Sequence, residues 1–187
     1  MVGLGNPGLE FAGTRHNVGA DVVARLAERQ GAKLELLRGQ RARVAEVTMD
    51  GARVVLAVPT TYMNDSGLAV APLLRRFGIE RPEQLVVVHD ELDLPPGRLK
   101  VKAGGGTAGH NGLRSLRQHL HDTDFVRVRI GVGKPPDPAK GADHVLRRPA
   151  PVERPLVARS VDEAADAVET IVRDGVDAAM NRFNTTP

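Results

Sequence analysis

The stretch Leu85-Val86-Val87-Val88-His89-Asp90-Glu91-Leu92-Asp93 decides how the chain is read. Four consecutive aliphatic residues leave no polar face. Leu85–His89 therefore reads as a strand buried on both sides, as in sheets covered by helices. Acidic residues follow at its carboxyl end, and ligands of open α/β sheets bind at such ends. On the amino side, Asp65–Phe77 reads as an amphipathic helix carrying Leu68, Ala71, Leu73, Leu74 and Phe77, stopped by Gly78. Before it, Arg43–Met49 and Ala52–Val58 are β-like runs joined by the hairpin signal Asp50-Gly51. Asn17–Gln30 reads as a helix on Val18, Val22, Val23, Leu26 and Ala27, stopped by Gly31. On the carboxyl side come a short strand at Leu99–Val101, a helix at Asn111–Leu120 and a strand at Phe125–Val132. A Pro-rich loop at Pro135–Pro138 then leads to helical spacing over Val161–Arg173. Alternating strands and helices plus one hairpin predict an α/β fold: a single domain over residues 1–187 with a mixed central β-sheet flanked by helices in three layers.

Composition narrows the chemistry. A chain of 187 residues with 41% hydrophobic and 26% charged residues is an ordinary globular composition of about one domain. Cysteine is absent, which excludes a thiol nucleophile, thiolate zinc sites, iron–sulfur clusters and disulfides. Only Ser66, Ser115 and Ser160 supply serine hydroxyls, and none sits in a G-x-S-x-G elbow. Covalent acyl-enzyme chemistry thus has few candidates. A hydrolase made from these parts would use water activated by a histidine, with a carboxylate orienting the imidazole. No apolar run approaches the ~20 residues of a membrane span, and no signal segment is visible, so a cytoplasmic protein without membrane attachment is expected.

The net charge of +3 conceals an uneven distribution. Residues 94–134 carry eight basic residues against Asp122 and Asp124, a local +6, whereas residues 160–177 carry six acids against Arg173. A basic segment beside an acidic one hints at a polyanion face in the middle of the chain; a solvated surface is the competing explanation.

Several segments carry chemistry-bearing residues. Gly3-Leu4-Gly5-Asn6-Pro7-Gly8 matches G-x-G-x-x-G. A dinucleotide site is disfavoured, because Pro7 removes an N–H from the cradle and no acid follows ~20 residues on; a tight turn placing Asn6 is the better reading. Thr14-Arg15-His16-Asn17 would present an imidazole just before a helix, where catalytic groups collect, although a lone histidine there is more often structural. Asn64 precedes another helix, where it could be only an N-cap. His89, Asp90, Glu91 and Asp93 cluster enough to raise a metal site, but consecutive strand residues point to opposite faces and no second His lies at ligand spacing. Gly104-Gly105-Gly106 and Gly109-His110-Asn111-Gly112 form a second Gly-rich segment before a helix, able to hold a phosphate or simply to turn. His119 and His121 read as solvated helix-end residues. Of six asparagines, four (Asn6, Asn17, Asn64, Asn111) fall in these turns, and neutral amides suit peptide and ester carbonyls.

Taken together, Gly3–Gly8 with Thr14–Asn17, Pro59-Thr60-Thr61-Tyr62-Met63-Asn64-Asp65-Ser66-Gly67, His89–Leu94, and Gly104–Gly106 with Gly109–Gly112 closely resemble the bacterial-type peptidyl-tRNA hydrolases, from Val2 to about Phe183. The resemblance implies a phosphorylase/hydrolase-like three-layer fold. It also implies cleavage of the ester between a peptide and the tRNA ribose, with no cofactor and no metal. On that resemblance His16 matches the catalytic base and Asp90 the acid that holds it. Asn6 matches the residue distinguishing a blocked from a free amino end. Met63, Asn64 and Asn111 match substrate-contacting positions, Phe11 and Tyr62 ring positions near the acceptor end, with His110 beside them. Lys100, Lys102 and Arg129 fall where relatives meet tRNA phosphates. The expected partner is peptidyl-tRNA, through its acceptor stem and 3′ end; the large subunit of a stalled ribosome is a further one, and a monomer is expected. Phe11 stands where many members carry Tyr, and Thr107-Ala108 where Gly is common at the second position. Two other classes compete: a non-catalytic RNA-binding protein on the same fold, and a nucleotide-dependent oxidoreductase.

Overall fold

Two glycines set the geometry on which the rest depends. In the computed structural model, which describes residues 1–185, the first strand β1 (Val2–Gly3) is crossed by helix α1 (Val18–Arg29) at very short range. A Cβ on Gly3 would lie 2.2 Å from the Gly19 carbonyl oxygen, and one on Gly19 2.2 Å from the Val88 carbonyl oxygen. Gly3 and Gly19 therefore let backbone meet backbone. The G-x-G pattern is explained by helix packing, with no nucleotide required. The remaining strands are β2 (Glu35–Leu37), β3 (Ala42–Met49), β4 (Ala52–Pro59), β5 (Val86–Glu91), β6 (Leu99–Ala103) and β7 (Val126–Gly131). They form one seven-stranded sheet in the order β2-β3-β4-β1-β5-β7-β6. The central β4, β1, β5 and β7 are parallel, while β2, β3 and β6 join antiparallel at the two sides.

Both faces of the sheet are covered. One carries α1, α5 (Arg154–Asp174) and α6 (Val176–Phe183), packed over Val86, Val88, Val101 and Val128. The other carries α2 (Ser66–Arg76) and α3 (Asn111–Leu120), packed over Val2, Leu4, Val87 and Phe125. This is the three-layer α/β arrangement with a mixed sheet that the pattern predicts. The all-buried β5 confirms that an unbroken aliphatic run is a central strand. The hairpin closes at Asp50-Gly51, where both residues have positive φ, as a tight primed turn requires. α2 and α3 meet where a Cβ on Gly67 would be 2.4 Å from the Ser115 carbonyl oxygen.

The departures have physical causes. Helix α5 begins seven residues before the expected Val161. Pro155 lies in its first turn, where a missing N–H costs nothing, so the proline starts the helix there. The short edge strand β2, the five-residue α4 (Gly141–Val145) and α6 are too short or too weakly periodic to stand out in the sequence. The last two positions of the expected 1–187 domain lie outside the described residues.

Candidate active site

All four parallel strands deliver residues to one edge of the sheet. Asn6 follows β1, Met63 and Asn64 follow β4, Asp90 closes β5, and the segment after β7 leads to α4. His16 sits in the single 3-10 turn before α1, and His110 caps α3. These residues, with Asn111, line a cleft of about 460 Å³ whose opposite wall is apolar: Leu92, Ala108, Ala142, Val145 and Leu146. Its place at the carboxyl ends of the strands is the one the topology favours.

Asp90, 3% exposed, accepts two hydrogen bonds on the same Oδ1, from His16 Nδ1 at 2.8 Å and from His110 Nε2 at 2.9 Å. The tautomer of His110 follows from its capping role. Its Nδ1 accepts the Gly112 and Leu113 N–H groups at 3.1 and 3.3 Å, so the ring proton is on Nε2, facing Asp90. With Nδ1–H of His16 donated to the same oxygen, the Nε2 lone pair of His16 is left for the cleft that this ring lines. Burial alone would push the Asp90 carboxyl up. The two imidazole partners, first His110 and then His16, outweigh burial and hold it well below the usual carboxylate range. Asp90 is thus a fixed anion between two imidazoles.

The ring of His16 is more enclosed than a strand–helix edge suggests, with 8% of the residue exposed. The two histidines and Asp90 place one ligand-type atom each within 4.8 Å of one another, spacing a metal ion could use. The donor pattern does not suit one: the His110 nitrogen facing Asp90 carries a proton, committed there by the cap on the other nitrogen. The cluster is built as a hydrogen-bonded relay. The metal site considered within His89–Asp93 does not form, because His89 points to the other face of β5. Its Nδ1 bonds the Asp90 carbonyl oxygen at 2.7 Å, and its ring stacks edge-on to His110 at 4.9 Å.

The asparagines are held by an arrangement the sequence did not disclose. Asn17 Oδ1 accepts the Asn6 N–H at 2.8 Å, and Asn17 Nδ2 donates to the Asn6 carbonyl at 2.9 Å, gripping the Asn6 backbone from both sides. Asn6 Oδ1 in turn accepts the Met63 N–H at 2.7 Å, which leaves its Nδ2 donors for the cleft. Asn64 is not an N-cap: the cap position of α2 is Asp65, and Asn64 is exposed at the cleft. Neither Asn64 nor Asn111 spends its side chain on a hydrogen bond among the described residues, and both line the cleft.

Other expected positions lie outside the cleft lining. Phe11 and Tyr62 meet edge to face with ring centroids 6.3 Å apart, and Tyr62 is 56% exposed. Lys100 and Lys102 are exposed on β6, in register with Arg129 and Arg127 of β7, so four basic residues share one sheet face. They are not equally free. Arg129 is bound through Nε at 3.0 Å and Nη2 at 2.7 Å to Glu91, and Arg127 is buried. Sequence reasoning missed the apolar wall from α4, which lacks any motif. It also missed the latch beneath that wall, where Arg15 pairs with Glu153 at 2.7 Å and Arg148 donates to the Leu9 and Ala12 carbonyls.

Known proteins are similar to this chain along its whole length. The family model for peptidyl-tRNA hydrolase matches residues 1–187. A peptidyl-tRNA hydrolase of Cutibacterium acnes is 50% identical, covering 99% of this chain and 97% of the relative. One of Mycolicibacterium vanbaalenii is 48% identical over 97% of this chain and 94% of its own length. The crystal structure of peptidyl-tRNA hydrolase from Acinetobacter baumannii superposes with a TM-score of 0.93 at 40% identity, covering 98% of this chain and 93% of that one. With motifs, fold and whole-chain similarity in agreement, the chain belongs to the peptidyl-tRNA hydrolase family.

Proposed function

We propose that this protein hydrolyses the ester bond of peptidyl-tRNA, with His16 as general base and Asp90 as its anionic partner. The observation that carries the reading is the paired donation of His16 and His110 to one buried Asp90 oxygen, which leaves His16 Nε2 free beside a cleft lined by three asparagines and an apolar wall. His16 Nε2 takes a proton from water as the water oxygen attacks the ester carbonyl. Asp90 stabilises the imidazolium, and the proton is then returned to the departing ribose oxygen, giving a peptide carboxylate and free tRNA. The Nδ2 groups of Asn6, Asn64 and Asn111 are the neutral donors for the peptide carbonyls and the developing oxyanion; one such donor is often worth ~3 kcal/mol. Met63, Phe11 and Tyr62 supply apolar and ring surface for the acceptor end. Lys100, Lys102 and Arg129 form the phosphate-facing strip, with Glu91 holding Arg129 in orientation.

No described helix is long and apolar enough to cross a membrane, and we read the protein as a cytoplasmic monomer acting on peptidyl-tRNAs released from or stalled on ribosomes. The deciding experiment compares wild type and His16→Ala on N-blocked and free aminoacyl-tRNA. Wild type cleaves the blocked substrate in preference, and His16→Ala loses at least ~10²-fold in kcat with tRNA affinity retained. Undiminished turnover by His16→Ala excludes the proposed base, and binding without cleavage by wild type makes the chain an RNA-binding protein on this fold.

A further inference from the structure

Among the basic residues of the β6–β7 face, Arg127 is the anomaly. Its neighbours in register look outward, but Arg127 is only 4% exposed and makes no salt bridge among the described residues. A buried guanidinium without a carboxylate is costly unless its donors find other partners. Here the two terminal nitrogens are turned on backbone, while Nε is unpaired among the described residues: Nη1 donates to the Gly106 carbonyl, and Nη2 donates to the Gly105 carbonyl and, at 3.1 Å, to that of Thr123. The guanidinium plane also lies 4.8 Å over the Phe125 ring. A neutral aliphatic side chain would fill this space at lower desolvation cost, so burial alone does not account for an arginine here.

The carbonyls that Arg127 grips belong to the glycine-rich loop that leads into the cleft. Gly104 and Gly105 have φ of +65° and +114°, and Ala108 and Gly109 are also at positive φ, a backbone with little regular structure of its own. Two residues beyond Gly109 the chain has delivered His110 to Asp90 and Asn111 to the cleft wall. Two backbone bonds also hold the loop, Gly104 N–H to the Phe125 carbonyl at 3.1 Å and His110 N–H to the Thr107 carbonyl at 2.8 Å. Between them, Gly105 and Gly106 are held by the fork from β7.

We propose that Arg127 is a positioning residue, fastening the Gly104–Gly109 loop to β7 so that His110 and Asn111 are held in the cleft, and that it makes no contact with RNA phosphate. The proposal rests on the reading of His110 and Asn111 as substrate-facing residues. The basic strip is then divided in what it does, with Lys100 and Lys102 facing outward and Arg127 facing the loop.

The test uses the full chain with Arg127→Lys and Arg127→Met, alone and in a His110→Ala/Asn111→Ala background, on N-blocked aminoacyl-tRNA. Lysine retains the charge but cannot reach three carbonyls at once. Both single variants lose about tenfold or more in kcat with little change in KM, because a displacement of ~1 Å can cost ~10²-fold. In the doubly substituted background, Arg127→Met costs less than about twofold, since nothing remains for the loop to position. The slope of log Kd for tRNA against log salt stays unchanged, whereas loss of a phosphate contact would lower it by roughly one. Faster amide exchange over residues 104–110 accompanies the kcat loss. Wild-type kcat in Arg127→Lys, a reduced salt slope, or an equal loss in both backgrounds each overturns the proposal. A His110→Ala/Asn111→Ala variant as active as wild type overturns instead the site reading beneath it.

Discussion

Replacing Asp90 by asparagine isolates the charge of the central carboxylate while keeping its shape. The Oδ1 of Asp90 lies 2.8 Å from His16 Nδ1 and 2.9 Å from His110 Nε2. An asparagine carbonyl can still accept both protons, so geometry is nearly preserved. Its negative charge is gone, however, and the imidazolium formed on His16 as water is deprotonated loses its counter-ion. A unit charge pair at 2.8 Å in an effective dielectric of about 20 is worth about 6 kcal/mol. The amide dipole and reorganised water recover part of that, leaving about 3–6 kcal/mol, or ~10²–10⁴-fold in rate. The assay is single-turnover release of tRNA from N-blocked aminoacyl-tRNA, with tRNA affinity measured separately. The expected result is a loss of ~10²–10⁴-fold in the chemical step and an affinity within about twofold of wild type, because Asp90 is buried away from any phosphate path. A loss below about threefold would refute Asp90 as the stabilising anion and, with it, the assignment of His16 as base.

Three further outcomes are expected. Asn17→Ala removes both hydrogen bonds to the Asn6 backbone and leaves a half-buried amide and carbonyl unpaired. Thermal unfolding should show about 1–3 kcal/mol of destabilisation, with kcat falling by roughly tenfold as Asn6 drifts; an unchanged kcat in folded protein would detach Asn6 from its holder. Lys100→Gln/Lys102→Gln should reduce the salt slope of tRNA binding by roughly 1.5–2, and an unchanged slope would remove the phosphate strip. The His89 ring is pushed down to about 3, first by burial and then by the neighbouring His110 ring. The unfolded chain takes up that proton near pH 6.5 and the native one does not. Stability therefore falls as pH drops below 6.5, by about 2 kcal/mol at pH 5. In His89→Phe this part of the slope between pH 6.5 and 5 should vanish; an identical slope would show that His89 is protonated in the native state.

Much of the candidate site was legible because its residues lie in short, turn-bounded motifs. Asn6, His16, Asn64, Asp90, His110 and Asn111 each sit where a strand ends or a helix starts, and such junctions advertise themselves through Gly, Pro and a change of hydrophobic period. The aliphatic run before Asp90 identified a central strand, and the absence of cysteine with three unsuited serines already pointed to activated water. Asn17 was visible as a member of the asparagine set, but its role as holder of Asn6 was not, since both bonds span eleven residues and depend on how α1 meets β1.

What the sequence by itself determined was the kind of fold and the kind of chemistry, because periodicity, turn residues and side-chain inventory are local properties. What only the tertiary structure decided was which like residues do unlike things. His16, His89 and His110 are three imidazoles around one aspartate, yet a helix cap fixes the proton of one, a strand face sends another into the core, and the third is left with a free nitrogen over the cleft. Arg127 and Arg129 are two residues apart on β7, yet one grips loop carbonyls and the other Glu91. Such differences arise from contacts between distant segments, where burial and the available partner set each group's proton and charge, and no local pattern encodes them.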